Sequence, residues 1–216
     1  MITHWNWRLA SRLSVVTLAV LVVILVTILQ QRNQVAITQM ANAGSNTNTT
    51  NGLQGSDLGG AVAPDFRLSD QFGKQVALSQ FKGEPVILTF LYTHCPDVCP
   101  LTAEKLHSTM QMLNGDAQKV GIIAVTIDPA RDNQAAALSF SKSHNMQDYW
   151  HYLTGPRNQL SPIWSNYHIF VQQQQQTVNH SMGLYLIDKQ GKQRVYMDTD
   201  FTPNQLADNL KILLKE

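Results

Sequence analysis

Cys95 and Cys99 are the only cysteines in 216 residues, and they stand four positions apart in the octapeptide THCPDVCP, Thr93 to Pro100. A cross-link between residues so close closes a loop too short to restrain much of the unfolded chain, so a structural staple is a poor account of the pair. Chemistry is a better one. Two thiolates on one face of a helical or near-helical path can form a disulfide or clamp a soft cation, and thiolates select Cu(I), zinc and iron–sulfur clusters. Two sulfurs are too few for a cluster or a closed zinc site. Copper needs fewer ligands, and a histidine from the C-terminal half suits as the third.

The elements around the octapeptide are those that expose such a pair. Pro85 to Tyr92 (PVILTFLY) is a nearly continuous apolar run of strand length, which reads as a buried central strand. From Pro100 to Leu113 the apolar residues fall at helical spacing, with Pro100 suited to a first turn. The cysteines therefore lie at a strand-to-helix junction. There the helix N-terminus favours thiolates, and both are expected to be more acidic than a free thiol.

Upstream, Phe66 to Leu78 places two short alternating runs around Gly73 and reads as a β-hairpin. Downstream, Val120 to Ile127 is a second buried strand, Asn133 to His144 an amphipathic helix, and Tyr152 to Thr154 a short strand before a helix from Asn158 to Tyr167. Strands follow at His168 to Val171, Gly183 to Ile187 and Arg194 to Met197, with a turn at Lys189 to Gly191 and a last helix from Pro203 to Lys215. The five glutamines Gln172 to Gln176 read as a solvated surface loop without function. The order predicts an α/β sandwich, a mixed sheet flanked by helices.

Before residue 61 the character changes. Leu13 to Leu29 (LSVVTLAVLVVILVTIL) carries no charge, Pro or Gly, and at roughly 1.5 Å per residue it comes close to spanning a bilayer core. Trp5 and Trp7 precede it, and Arg8 and Arg12 bias residues 1–12 to the cytoplasm. Ala41 to Ala43 resembles a signal-peptide cleavage site but lies too far past the apolar run, so 13–29 reads as a transmembrane anchor. Residues 30–60, rich in Asn, Thr, Gln, Gly and Ser, read as a flexible linker. Either way residues 61–216 are exported as one domain. Of the chain's 16 Lys and Arg, 13 lie in that domain, with 14 of its 15 Asp and Glu. A net charge near −1 offers nothing to a nucleic acid.

Among the seven histidines His180 stands out. It precedes the apolar run Gly183 to Ile187, in a loop that this order of elements places beside the start of the first helix. His94 adjoins Cys95 but is expected to point away from it. His107 falls on the helix, and His4, His144, His151 and His168 have no evident partners. Asp97 has two readings, capping the helix or tuning the charge of the site. Asp128 and Asp132 read as turn and capping residues around Pro129, and Met182 as core.

With these parts in order, the sequence resembles the Sco family (Sco1/SenC/PrrC type) of membrane-anchored, thioredoxin-fold copper proteins. The resemblance covers about residues 61–216 and the anchor. It rests on THCPDVCP after a buried strand, on Ile127-Asp128-Pro129-Ala130-Arg131-Asp132 matching the family's IDPxRD, and on the His180 segment before Tyr185 to Asp188 (YLID). It implies a thioredoxin-like sandwich and copper ligands Cys95, Cys99 and His180. It further implies a chaperone that delivers copper to the dinuclear site of cytochrome c oxidase subunit II, or reduces that site's cysteines. The partners would then be subunit II and a copper donor protein. The place would be the inner membrane, with the domain facing the periplasm or an equivalent intermembrane space. Where the family commonly has Asp-His-Thr, this chain has Asn179-His180-Ser181. That removes a carboxylate able to orient the imidazole.

Two other readings use the same residues. A thiol–disulfide oxidoreductase would work through Cys95 and Cys99 as a redox pair. The C-x3-C spacing and the absence of Pro between Pro162 and Pro203 lean against a general one. A peroxiredoxin-like peroxidase shares the FRLSDQFGKQVALSQFKGEPVILTF start, but needs a Thr/Ser-x-x-Cys setting that Thr93-His94-Cys95 does not provide.

Overall fold

The computed structural model of the chain describes residues 52–173, 178–180 and 182–216, with 173 and 178–180 in backbone only. The expected cytoplasmic segment, anchor and most of the linker, residues 1–51, lie outside the described residues. Among the described residues no helix is long and apolar enough to cross a membrane.

The core is a six-stranded sheet in the order 56–57 (β1), 193–197 (β10), 184–187 (β9), 86–91 (β4), 121–126 (β5) and 151–153 (β6). Its centre is β4 (Val86–Leu91), whose six residues are all buried, as are the six of β5 (Gly121–Thr126) and the four of β9 (Leu184–Ile187). Runs buried on every residue fit only where both faces of a sheet are covered. β5 pairs parallel to β4, and β6 (His151–Leu153) parallel to β5. β9 pairs antiparallel to the other side of β4, and β10 (Gln193–Met197) antiparallel to β9. The helices are α1 (Val98–Leu113), α2 (Gln134–Ser143), α3 (Arg157–Asn166) and α4 (Pro203–Lys215), with α1 packed against α4.

Local sequence sets the ends of the later helices. Asn133 accepts the Ala136 N–H at 2.9 Å to start α2, and Thr202 with Gln205 forms a capping box before Pro203 at α4. The hairpin of β2 (Arg67–Ser69) and β3 (Gln75–Ala77) turns at Gly73, whose φ of 80° favours glycine, while Asp70 Oδ1 accepts the N–H groups of Phe72 and Lys74. It is held to β6 by the Thr154 N–H donating to the Ser69 carbonyl and the Tyr152 N–H to Gln71 Oε1, both at the outer side of that strand.

Three expectations change at the edges. β1 (Ser56–Asp57) pairs with Tyr196 and Val195 of β10, inside the stretch read as linker. Leu53 is 1% exposed, and Asn209 exchanges two 2.8 Å hydrogen bonds with the backbone of Gln54. The folded domain thus begins before residue 61. The glutamine run is also partly strand: Gln172 and Gln173 belong to β7 (Val171–Gln173), which pairs with β8 (Val178–His180). His168, read as the start of that strand, is in a turn at φ 53°.

Candidate functional site

Strand β4 ends at Leu91, and the chain passes through Tyr92, Thr93 and His94 before α1 begins at Val98, two residues earlier than the apolar spacing indicates. Asp97 occupies the cap position, but its exposed carboxylate accepts no capping hydrogen bond. The sulfur of Cys95 does that work, accepting the Cys99 N–H at 3.4 Å. Cys95 is half-buried and Cys99 fully buried, and both are free.

These contacts separate the two thiols. Cys95 is drawn from an ordinary value of 9.0 down to about 5. The main cause is the Cys99 thiol donating to its sulfur; burial works against it, and the N–H groups of Asp97 and Cys99 and the Tyr92 hydroxyl add to it. Cys99 moves the other way. Holding its proton toward Cys95, losing solvent, and facing the Cys95 charge and Asp132 all raise it. The expectation that both thiols are acidified therefore holds for Cys95 alone, because one proton serves both sulfurs. In chemical terms the pair is one half-buried nucleophilic thiolate backed by a protonated thiol. It is a soft donor set suited to a soft cation or to disulfide exchange.

The loop carrying the pair is tied down by a residue whose sequence setting indicates a turn and capping role. The Asp132 side chain is fully buried and accepts the Thr93 N–H at 3.1 and 3.2 Å, the Thr93 hydroxyl at 2.6 Å, the Thr126 hydroxyl at 2.7 Å and the Tyr152 hydroxyl at 3.0 Å. Asp128 fits its reading: its carbonyl accepts the Arg131 and Asp132 N–H groups, and its carboxylate pairs with Arg131. Arg131 in turn lies 5.8 Å over the Tyr92 ring. The IDPxRD match was the signal for Asp132, and the distance in sequence to its partners hid its role.

His180 lies in β8 opposite Val171, and its side chain is outside the described residues. The register still locates its strand. Leu184 at the start of β9 pairs with Thr89 near the end of β4, and the Thr89 hydroxyl donates to the Gly183 carbonyl at 3.0 Å. β8 therefore delivers the chain to the end of the sheet from which the cysteines depart. Gly183 is required there, since a Cβ would stand 2.4 Å from the Tyr196 ring. Met182 is 38% exposed and not core, and its carbonyl accepts the Tyr196 hydroxyl at 2.6 Å.

Three of the other described histidines are engaged elsewhere. His107 stacks edge-on against Tyr149 and contacts Gln111, and His144 packs on Phe140. His151, expected to be unpartnered, contacts the buried Asp70 carboxylate at 2.9 Å. Among the described residues no group of three or more His, Cys, Asp or Glu is placed to hold a metal ion.

A mixed sheet with this strand order, carrying a reactive cysteine and a buried one where its central strand meets a helix, defines a thioredoxin-like dithiol domain. The chain belongs to the SCO1/SenC family, whose profile matches residues 54–215. It is similar to the mitochondrial SCO2 homolog of Mus musculus, with 28% identity over 155 residues, 68% of this chain and 60% of the relative. The match thus spans less than two thirds of that relative's length. The copper-bound structure of Bradyrhizobium japonicum ScoI is similar at 30% identity and a TM-score of 0.65, over 71% of this chain and 100% of that one. BsSco, a member of the Sco family of cytochrome c oxidase assembly proteins for which a disulfide switch is described, shares the fold at 23% identity. Its TM-score is 0.64 over 74% of this chain and 97% of that one.

Proposed function

We propose that this protein binds a copper ion through Cys95, Cys99 and His180 and passes it to the dinuclear copper site of cytochrome c oxidase subunit II. It would receive the ion from a donor protein. Residues 13–29 anchor it in the membrane, with the domain on the periplasmic side or in an equivalent intermembrane space. The observation that carries the reading is the pairing of the two cysteines, the Cys99 N–H donating to the Cys95 sulfur at 3.4 Å, at the end of β4 where the chain leaving β8 enters β9. Cys95 offers a thiolate at neutral pH without prior proton loss. Cys99 surrenders its proton as it ligates, so uptake releases a proton and tightens as pH rises. The similarity to a copper-bound ScoI supports the choice of metal.

The same asymmetry favours a second reading, reduction of a partner disulfide. The Cys95 thiolate attacks one sulfur and releases the partner's other cysteine as a thiolate. Cys99 then gives up its proton and attacks Cys95 in the mixed disulfide, leaving the partner dithiol reduced by two electrons and Cys95–Cys99 oxidised.

Copper stoichiometry on the reduced protein separates the two. Wild type is expected to hold one copper per chain, with Cys95→Ser and Cys99→Ser losing it and His180→Ala binding more weakly. If His180→Ala binds as tightly as wild type while disulfide-reductase activity is high, the copper reading falls.

A further inference from the structure

The hydrogen bonds around Asp132 also determine the state of a residue that the dithiol does not use. Thr93 Oγ1 lies 2.6 Å from Asp132 Oδ1 and 3.0 Å from His94 Nδ1. A carboxylate only accepts, and a hydroxyl has one proton to give. The Thr93 proton therefore goes to Asp132, and the contact with His94 is a hydrogen bond only if the ring supplies the proton, as Nδ1–H. Asp132 Oδ1, 3.8 Å from Nδ1, reinforces this orientation. A neutral imidazole protonated at Nδ1 carries its bare lone pair on Nε2, on the opposite side of the ring. The His94 side chain is 51% exposed, and its peptide bond leads directly to Cys95. Carboxylate-backed hydrogen bonds to the far nitrogen are the usual means by which a metal-binding imidazole is oriented. Here the backing is relayed through Thr93.

We infer that His94, held as the Nδ1–H tautomer by the Asp132–Thr93 relay, is a gateway ligand that takes up Cu(I) on Nε2, one residue ahead of Cys95 in the chain, before the ion settles on its final ligands. The inference rests on the copper reading above. The exchange conserves charge and oxidation state: a Cu–Nε2 bond breaks, a Cu–Sγ bond to Cys99 forms, and the Cys99 proton leaves to solvent. Imidazole and thiolate both suit copper, so the first contact forms without a hard-to-soft penalty. A gateway of this kind sets the rate of capture and leaves the amount held unchanged. That separates it from a role in merely bracing the loop.

The test uses the full chain, reduced, with Cu(I) presented in excess of a weak competing chelator. His94→Ala is expected to slow Cu(I) capture by at least about tenfold, the lower end of what losing merely the group that orients a metal-binding imidazole costs, with one copper per chain still bound at equilibrium. Thr93→Val is expected to slow capture similarly, and Thr93→Ser to restore it. Should Thr93→Val fail to fold, the exposed His94 variant carries the test alone. Nitrogen-15 shifts of the copper-free wild type are expected to show His94 Nε2 unprotonated. The inference is overturned if His94→Ala captures Cu(I) as fast as wild type, if Nε2 carries the proton, or if His94→Ala holds no copper at equilibrium, which would make it a permanent ligand. Wild type that takes up no Cu(I) at all overturns the copper reading as well. That outcome is distinct from a wild type that loads normally and a variant that matches it.

Discussion

The backbone N–H of Cys99 donates to the sulfur of Cys95 at 3.4 Å, so one cysteine of the pair caps the helix that holds the other. Sequence rules assign that place to Asp97, whose side chain makes no such bond. The capping sulfur gains N–H donors and a thiol donor together, which is why it ionises and its neighbour does not.

Alkylation is therefore expected to be confined to one site. With iodoacetamide the rate at Cys95 should rise with a midpoint near pH 5, while Cys99 stays unmodified through neutral pH. Cys99→Ala, which removes the main donor, should move the Cys95 midpoint upward. Peptide mapping that finds Cys99 modified first would contradict the assignment.

The same shift makes stability depend on pH. Cys95 has a folded value of about 5 against 9.0 unfolded. Between those values the unfolded chain binds the extra proton, so stability rises with pH across that window. The contribution is complete above 9 and lost as pH falls through 5. Cys99 has the opposite sign, and stability should fall once pH passes 9.0, where the unfolded thiol ionises and the folded one resists. Thermal unfolding of the reduced protein between pH 5 and 8 should thus show a rise in Tm that is missing in Cys95→Ser.

Asp132 should be costly to remove. Asp132→Ala leaves the buried hydroxyls of Thr126 and Tyr152 without their acceptor, and a loss of about 3 kcal/mol is expected in urea unfolding. Tyr152→Phe removes one donor and leaves the carboxylate its others, and should cost about 1 kcal/mol. Equal losses in the two variants would mean that Asp132 does not organise the group.

Residues ahead of 61 should matter to the fold. Leu53→Ala in the full chain is expected to cost about 3 kcal/mol, as for other buried leucines. Val62→Ala, at a side chain 74% exposed, should change stability by less than about 0.5 kcal/mol. A silent Leu53→Ala would return that segment to the linker.

What could be read in advance follows from how local its causes are. Val86–Leu91 announces itself because five of its six residues are apolar, and Pro203–Lys215 because Thr202, Pro203 and Gln205 state its start within four positions. β1 was hidden because both its residues are polar and exposed, and only backbone pairing with β10 makes it a strand. Asp132 was read through its neighbours in sequence, yet Thr93 lies 39 positions away and Tyr152 20. The cysteine pair was visible from spacing. Its division into an acid and a reluctant thiol was not, because that depends on which sulfur the helix N–H groups meet.

The hairpin of β2 and β3 has a consequence for how this protein can meet others. Sheets associate by adding strands wherever a border leaves a row of backbone groups unclaimed. At the border formed by β6, the amides of Tyr152 and Thr154 are already committed to Gln71 and Ser69. A visiting chain therefore finds no free amide at Tyr152 or Thr154 on which to add a strand, and that border of the sheet is closed by the protein's own hairpin.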